Sequence, residues 1–282
     1  MSKNFIQWVA MGALVGAMAL AAYGQGQGAA TRAQPKTPAG PAPKTPEGKP
    51  DFSGLWERPY VPDMTAYGRN QTPDESLPDD PKLSGRGPNA KHNKLLPFTA
   101  KGKAMWDSYD AASNGDYTGS CMPFGAVRSV NSPDPLQIMQ NAKYVGFLWE
   151  QNTWFHIARF GEHTKVPTPL WFGDTTARWD GDTMVLDSTN FNGRIRLDTN
   201  GHPTSDKLHV IERYSRPDMG HINYEITIDD PEYYTRPWKN TRVFTLRPDW
   251  EIMEYSCEEN NKDFFEGHIK RTQNPNAPAV SK

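Results

Sequence analysis

Two glutamates in the C-terminal half of the chain have a predicted arrangement that suits acid–base chemistry. The β-prone segments "LHVIERYSR" and "HINYEITID" flank the four-residue turn "PDMG". Closing this hairpin symmetrically places Glu212 directly opposite Glu225. Two carboxylates in that position destabilise a sheet, and in a cavity one of them is driven toward protonation. The hairpin therefore predicts a catalytic Glu212–Glu225 pair, with His221 beside it, where this face lines a cavity.

The same face can also be interpreted as the solvent-exposed outer surface of the sheet. Arg216 then lies near the two glutamates, and its charge together with solvent screening offsets their repulsion. A register shift of one residue removes the pairing altogether. The burial of Glu212 and Glu225 distinguishes the two interpretations.

Further side chains that suit ligand binding are scattered along the chain. Arginine attracts anions, and aromatic rings at strand–loop junctions are typical of pocket mouths. The ligand-binding candidates are Arg128, Trp154, His156, Arg216, Tyr234 and Trp238. The alternative role for the histidine and the aromatic residues is packing in the core or at an edge.

The stretch "RWDGDTMVLDSTNF" over 178–191 concentrates acidic and amide side chains. Asp180-Gly181 between two strand-like runs predicts a type I′ turn, in which Asp180 serves backbone geometry and Trp179 faces Asp182. The predicted core-facing stripe consists of Ala177, Trp179, Met184 and Leu186. The acidic cluster is thus expected to build a hairpin and not a site.

No metal or cofactor signature is present in the sequence. The seven histidines form no His-x-His or His-x-x-x-His pair, and the acidic residues lack the spacing of a calcium loop. There is no P-loop, dinucleotide fingerprint or Gly-x-Ser-x-Gly motif. We therefore predict no metal and no cofactor, and expect Asp187 and Asn190 to have supporting polar roles.

The N-terminus and the cysteines indicate export. Lys3 precedes an apolar run that ends in small residues, which predicts a cleaved signal peptide over 1–24 rather than a membrane anchor. In an oxidising compartment, Cys121 and Cys257 are expected to form a disulfide, with two separate thiols as the alternative. The predicted location is periplasmic or secreted.

Composition narrows the classes of partner. The net charge is −2 and the isoelectric point is about 6.4, so nucleic acid and anionic membrane surfaces are not expected partners. A small-molecule ligand or substrate is expected, with no membrane contact beyond the cleaved signal. The oligomeric state is not indicated.

Short β-prone runs separated by turn residues dominate the chain after Pro135. Strands are predicted near 136–141, 144–150, 153–160, 175–179, 182–188, 207–216, 221–229, 239–247 and 251–258. Trp56 in "SGLWE" marks a further first strand, and Thr99 caps one short helix of about three turns. Because no helical crossovers intervene, we expect an all-β antiparallel meander that closes into a barrel, with a β-sandwich as the alternative.

The predicted domain organisation is simple. A single β-barrel domain is expected over 51–273, with long irregular loops in its N-terminal part. It is preceded by a disordered linker over 25–50 that is rich in Pro, Gly and Ala, and followed by a disordered tail over 274–282.

Several segments resemble known families. Gly54-x-Trp56 resembles the start of lipocalin-like (calycin) barrels. "GDTTARWDGDTMVLDSTNF", with "PDFSGLWE", "CMPFGAVR" and "EYSCEEN", resembles a family of secreted bacterial proteins with the motif GDxxxRWxGDTxVxDxxNF. This resemblance implies a secreted β-barrel and no particular activity. The chain departs from the family at "RFGEHTKVP", where only Gly161 and His163 match its Asp-Gly-Arg-x-His-Pro-like turn.

Two functions are compatible with these observations. The first is a secreted or periplasmic barrel that binds a small, partly apolar or sugar-like molecule in its cavity. The alternative is a cofactor-independent lyase, isomerase or hydrolase that uses a Glu/His acid–base pair in the same cavity. The sequence leaves open whether the protein is an enzyme.

Overall fold

The computed structural model describes residues 36–80, 93–110, 116–164, 166–259, 261, 262 and 266. The predicted signal peptide over 1–24 and the predicted tail over 274–282 lie outside the described residues. Among these residues, no helix has the length and apolar character needed to span a bilayer.

Ten strands form one sheet in the described part of the chain. In chain order they are β1 (Gly54–Glu57), β2 (Gln71–Pro73), β3 (Leu136–Gln140), β4 (Tyr144–Trp149), β5 (Phe155–Phe160), β6 (Asp174–Asp180), β7 (Thr183–Thr189), β8 (His209–Ser215), β9 (His221–Asp229) and β10 (Trp238–Leu246). Strand β1 pairs with both β3 and β10, so nine strands close a barrel and β2 adds to β10. The prediction of an all-β barrel is therefore confirmed.

Barrel closure depends on the first strand. Trp56 pairs with Leu246 of β10 on one side and with Leu136 of β3 on the other. Its indole is fully buried, and its Nε1 donates to the carbonyl of Phe52 at 3.0 Å. The guanidinium of Arg216 lies 4.9 Å from the ring centroid. This tryptophan thus joins the two ends of the meander and leaves neither end strand open.

One strand pair departs from the antiparallel order. Strands β5 and β6 are parallel, with Arg159 paired to Thr176 and Phe160 paired to Ala177. Parallel neighbours need a connection that returns along the barrel, and residues 161–173 supply it. This connection carries His163, whose ring lies beside Asp174 and Asp187.

The described residues contain two short helices. Helix α1 (Ala100–Asp107) begins where predicted, because the Thr99 hydroxyl accepts from the Gly102 amide, but it has eight residues and not three full turns. Helix α2 (Gly125–Asn131) was not predicted, and every one of its residues is buried. A helix with no polar face lacks the periodicity by which amphipathic helices are recognised.

Large side chains fill the interior of the barrel. Tyr224 contacts the rings of Tyr214 and Phe244, with centroids 5.0 and 5.1 Å apart. Other large interior residues are Trp56, Phe147, Trp149, Ile222, Ile226 and Ile228. The predicted stripe of Ala177, Trp179, Met184 and Leu186 also belongs to this core.

The β6–β7 turn corrects one detail of the sequence prediction. Trp179 lies opposite Met184 and not opposite Asp182, so the predicted register is wrong by two residues. A type I′ turn needs a positive φ at both central residues. In this turn Gly181 has a φ of 61°, but Asp180 and Asp182 do not have a positive φ, so the turn is not type I′ and Asp180 is an ordinary strand residue. An even shift preserves which side chains face inward, and the core stripe was therefore predicted correctly.

The segment predicted as a final strand over 251–258 is not a strand. It forms extended coil and a turn, and Met253 and Tyr255 are exposed. This segment does not pair with β10, because β1 and β2 already occupy the outer edge of that strand. The segment is held instead by the Cys121–Cys257 disulfide, which confirms the predicted pairing.

The described part of the predicted linker, from residue 36 to residue 50, contacts the barrel. Lys49 Nζ donates to the carbonyl of Gly181 at 2.8 Å, and the Met219 amide donates to the carbonyl of Gly40 at 2.9 Å. These two hydrogen bonds join the segment to the β6–β7 turn and to the β8–β9 turn.

Removing the disulfide is expected to destabilise the fold. The bond joins residues 136 positions apart, so it removes much conformational freedom from the unfolded chain. The double variant Cys121→Ser/Cys257→Ser should lose about 3–5 kcal/mol of unfolding free energy in urea titrations. Wild-type protein under reducing conditions is the matched control and should behave like the variant. Equal stability of oxidised wild type and variant would contradict the expectation.

Candidate functional site on the outer barrel wall

The β8–β9 hairpin does not have the predicted register. Arg213 lies opposite Glu225, and Glu212 lies opposite Ile226, which is a shift of one residue from symmetric closure. Successive residues face opposite sides of a sheet, so the shift places Glu212 inside the barrel and Glu225 on the outer wall. The predicted Glu212–Glu225 pairing is therefore wrong.

Glu212 belongs to a polar cluster inside the barrel. Its Oε1 accepts from the hydroxyl of Tyr214 at 3.0 Å and from that of Tyr224 at 2.8 Å. The side chain is only 3% exposed. Burial raises the pKa of Glu212, against the opposing effect of both tyrosine hydroxyls and of Arg242. Its carboxyl group is thus hydrogen-bonded to two buried hydroxyls inside the barrel.

The other residues expected beside this pair are engaged elsewhere. His221 Nδ1 lies 2.9 Å from Asp218 Oδ1 at the turn end of the hairpin. Arg216 donates to the backbone carbonyls of Asp51 and Met219. The structure therefore does not bring Glu212, Glu225 and His221 into one site.

Arg128 and His156, two of the ligand-binding candidates, have partners within the protein. The buried Arg128 forms an ion pair with the partly exposed Asp116, and its guanidinium lies 5.2 Å from the ring centroid of Tyr117. His156 faces inward, with Nε2 2.8 Å from the Thr175 hydroxyl, and burial lowers its pKa to about 4. Neither side chain is directed toward a described pocket.

The three aromatic candidates pack in the core or against it. Trp154 lies edge-on to Phe124, with centroids 4.9 Å apart. The Tyr234 hydroxyl donates to the carbonyl of Pro203 at 2.9 Å, and the ring lies edge-on to Trp238. Only Trp154 touches a described pocket, a small one of about 210 Å³ beside the disulfide.

A larger groove of about 560 Å³ lies on the outer wall. Its floor is the outer face of β8, β9 and β10, and its side is the turn that leads into β2. The lining residues are Tyr67, Gly68, Asn70, Gln71, Thr72, Thr183, Arg213, Ser215, Asn223, Tyr224, Glu225, Thr241, Arg242 and Val243. The register of β8–β9 creates this lining, because it turns Arg213, Ser215, Asn223 and Glu225 outward together.

Charges in the groove balance each other. Arg213 and Glu225 are cross-strand neighbours at its floor. Arg213 also lies 2.7 Å from Asp180, and Glu225 lies 3.1 Å from Lys239. The two charged side chains on the outer face of the groove, Arg213 and Glu225, therefore each have partners of opposite sign.

A second polar group on the same wall combines two histidines with two aspartates. We call His163, Asp174, Asp187 and His209 the His/Asp cluster. His163 Nδ1 lies 2.9 Å from Asp174 Oδ2, and its Nε2 lies 3.4 Å from Asp187 Oδ1. His209 Nε2 approaches the same Asp187 oxygen at 3.0 Å. The hydroxyl of Thr176 lies 3.5 Å from His163 Nε2.

The sheet register assembles the His/Asp cluster. Asp174, Asp187 and His209 are outward-facing residues of the adjacent strands β6, β7 and β8. The crossing connection over 161–173 then brings His163 onto this wall. Of the four residues in the His/Asp cluster, the sequence indicated a polar role only for Asp187. No local motif links the other three, which lie far apart in the chain.

A third group is buried near helix α1. Asp63, Asp198 and His202 place one ligand atom each within 4.8 Å of one another. Donors already occupy these oxygens. Asp198 Oδ2 accepts from His202 Nδ1 at 2.7 Å and from the Met64 amide at 2.8 Å, and Asp63 Oδ2 accepts from two asparagine amides. The arrangement suits a structural hydrogen-bond cluster.

Comparison with known proteins leaves the site to be interpreted from its geometry. No model of a protein family matches the chain, and no curated protein matches it either.

Glu212→Gln is expected to change how stability depends on pH. Because the folded-state pKa is raised above 4.5, the folded protein keeps a proton that the unfolded chain has lost. This contribution to stability is complete below that pH and is lost as the pH rises through the raised pKa. In urea titrations above pH ~4.5, the variant should therefore lose less unfolding free energy with rising pH than wild type.

The matched control for this prediction is Glu225→Gln on the outer wall. Glu225 faces outward from β9, so this variant makes the same substitution and leaves the buried carboxyl group of Glu212 in place. If Glu212→Gln and wild type showed the same pH slope, a costly buried charge at this position would be ruled out.

Proposed function

We propose that this protein is a secreted or periplasmic β-barrel that binds a small, neutral, hydroxyl-rich molecule of sugar-like chemistry in the outer-wall groove. The observation that carries this proposal is the lining of the groove, in which hydroxyl, amide and paired charged groups converge around about 560 Å³. That volume lies within the range of small-molecule sites, which is about 300–1,000 Å³.

The chemistry of the lining suits a polyhydroxyl ligand. Sugar hydroxyls both donate and accept hydrogen bonds, and Ser215, Thr241 and the Asn223 amide also offer donors and acceptors. Tyr67 adds an aromatic ring, and Val243 adds an apolar contact. Such a combination suits a molecule with polar edges and a partly apolar face.

Charge balance favours a neutral ligand over an ion. An ionic ligand is bound best where a charge of opposite sign lacks a partner, whereas Arg213 and Glu225 compensate each other across the floor. Inserting an anion beside Arg213 also places it near Glu225, and the two interactions oppose each other.

The location and the binding mode rest on different features. The Cys121–Cys257 disulfide fits an oxidising compartment. Binding on the wall, rather than in the barrel cavity expected from the sequence, follows from the aromatic and aliphatic side chains that fill the interior. The acid–base alternative loses support because Glu212 and Glu225 lie on opposite sides of the wall.

A blocking substitution at Asn223 tests the groove. Asn223→Trp places a large side chain on the groove floor, while a tryptophan is well tolerated in a strand. Binding of neutral monosaccharides and disaccharides, followed by amide chemical shifts and calorimetry, should weaken at least about tenfold, or roughly 1.4 kcal/mol. The uronic acids of the same sugars should bind more weakly than the neutral forms.

The matched control is Thr227→Trp, on the same face of β9 but outside the groove. It should retain wild-type affinity. The proposal fails if no sugar of the panel shifts groove amides, or if both tryptophan variants lose affinity equally.

A further inference from the structure

Large apolar side chains are exposed together on the outer face of the adjacent strands β3, β4 and β5. We call this set the apolar patch, and between 45% and 66% of each of its residues is exposed: Met139, Tyr144, Phe155 and Ile157. The inward-facing neighbours on β4, Val145 and Phe147, belong to the core. Because side chains alternate along a strand, the pairing that fills the barrel here exposes the apolar patch on its other side.

The strand register makes the apolar patch continuous. Gly146 on β4 lies opposite Met139 on one side and opposite Ile157 on the other. A Cβ at Gly146 would lie 3.1 Å from Ile157 Cδ1, so the isoleucine covers the glycine. In the next row, Leu148 lies opposite Phe155. The exposed side chains are therefore neighbours on three strands.

The area of the apolar patch matches one side of a stable protein interface. A large aromatic side chain presents about 150–250 Å² when it is fully exposed. At the observed exposures, the four residues present on the order of 400 Å² together, which is a size typical of interaction surfaces. A standard interface takes about 800 Å² from each partner, and somewhat more than half of that area is apolar.

Basic side chains lie at one end of the apolar patch. Arg159 lies opposite Tyr144, and Lys143 directly precedes β4. Arg159 Nη2 donates to the backbone carbonyl of Glu162 at 2.6 Å, so this bond is not to a carboxylate. The carboxylate of Glu162 is also near this end, where the two basic side chains outnumber it.

Carboxylates lie at the opposite end of the apolar patch. Glu150 directly follows β4, about 23 Å from Lys143 along an extended strand. Its Oε2 accepts from the backbone amide of Met253 at 3.0 Å, which places the exposed Glu254 nearby. Met253 and Tyr255 are 66% and 47% exposed, so they extend the apolar surface at this acidic end.

We propose that the apolar patch is the interface of a homodimer, in which a second copy of this chain binds with its β4 reversed. A dimer with twofold symmetry uses the same surface of both copies. When the symmetry axis lies in the interface and is perpendicular to β4, the Lys143 end of each copy faces the Glu150 end of the other. An axis parallel to β4 brings like charges together, which opposes association.

The charges at the two ends therefore favour a second copy as the occupant. An anionic membrane surface would be attracted at the Lys143 end and repelled at the Glu150 end. The sugar groove shares no lining residue with the apolar patch, so either proposal can fail while the other holds.

Sedimentation velocity of the full chain tests the proposal between about 1 and 100 µM, where a standard interface of modest affinity associates. Wild type should sediment as a dimer at the higher concentrations. Phe155→Asp should remain monomeric throughout, because it would bury a carboxylate in the interface. Lys143→Glu or Glu150→Lys alone should weaken association about three- to tenfold, since each change acts twice across a twofold axis. The double variant Lys143→Glu/Glu150→Lys should restore wild-type association within about twofold.

The matched control is Leu95→Asp. Leu95 is also an exposed apolar residue, at 40%, but it lies outside the apolar patch. This variant should dimerise like wild type, and thermal unfolding should confirm that every variant is folded. The proposal is overturned if wild type stays monomeric at the highest concentration, if Leu95→Asp dissociates as readily as Phe155→Asp, or if the double charge reversal fails to restore association. A monomeric wild type that binds lipid vesicles, with binding lost in Phe155→Asp, would assign the apolar patch to a membrane surface instead.

Discussion

The burial of Tyr214 and Tyr224 around Glu212 sets the register on which the outer wall depends. Each tyrosine buries about 150–250 Å², worth roughly 4–6 kcal/mol, whereas a cross-strand surface pair contributes at most about 1 kcal/mol. The carboxylate of Glu212 satisfies both hydroxyls at 3.0 and 2.8 Å, so the rings are buried without an unpaired polar group. A register shift of one residue would expose one of the two tyrosine side chains to water.

That register has its main consequence on the opposite side of the wall. Because side chains alternate, placing Glu212 and Tyr214 inside turns Arg213 and Ser215 outward, opposite Glu225 and Asn223. The packed interior and the polar groove are thus two faces of one pairing. The strand pairing that fills the barrel interior also places Arg213, Ser215, Asn223 and Glu225 together on the outer wall.

Closure of the barrel explains where the irregular segments lie. Strands β1 and β2 occupy the outer edge of β10, and the segment after β10 is coil and turn over residues 251–259. The parallel pairing of β5 with β6 requires a long return, and this return carries His163 to the face that displays Asp187 and His209. The groove and the His/Asp cluster therefore depend on connections between strands as much as on the strands.

The sequence by itself determined the all-β class, eight of the nine strand positions predicted after Pro135, the Thr99 cap and the Cys121–Cys257 pairing. These features depend on local alternation, turn residues and the number of cysteines. The core-facing residues of β6 and β7 were also predicted correctly, although the predicted register was wrong. A shift of two residues leaves each side chain on the same face of the sheet. Only the tertiary structure decided the β8–β9 register, the insertion of β1, the buried helix α2 and the meeting of His163 with Asp187 and His209. These features depend on how strands and connections pack together in three dimensions, which local patterns of residue type do not record.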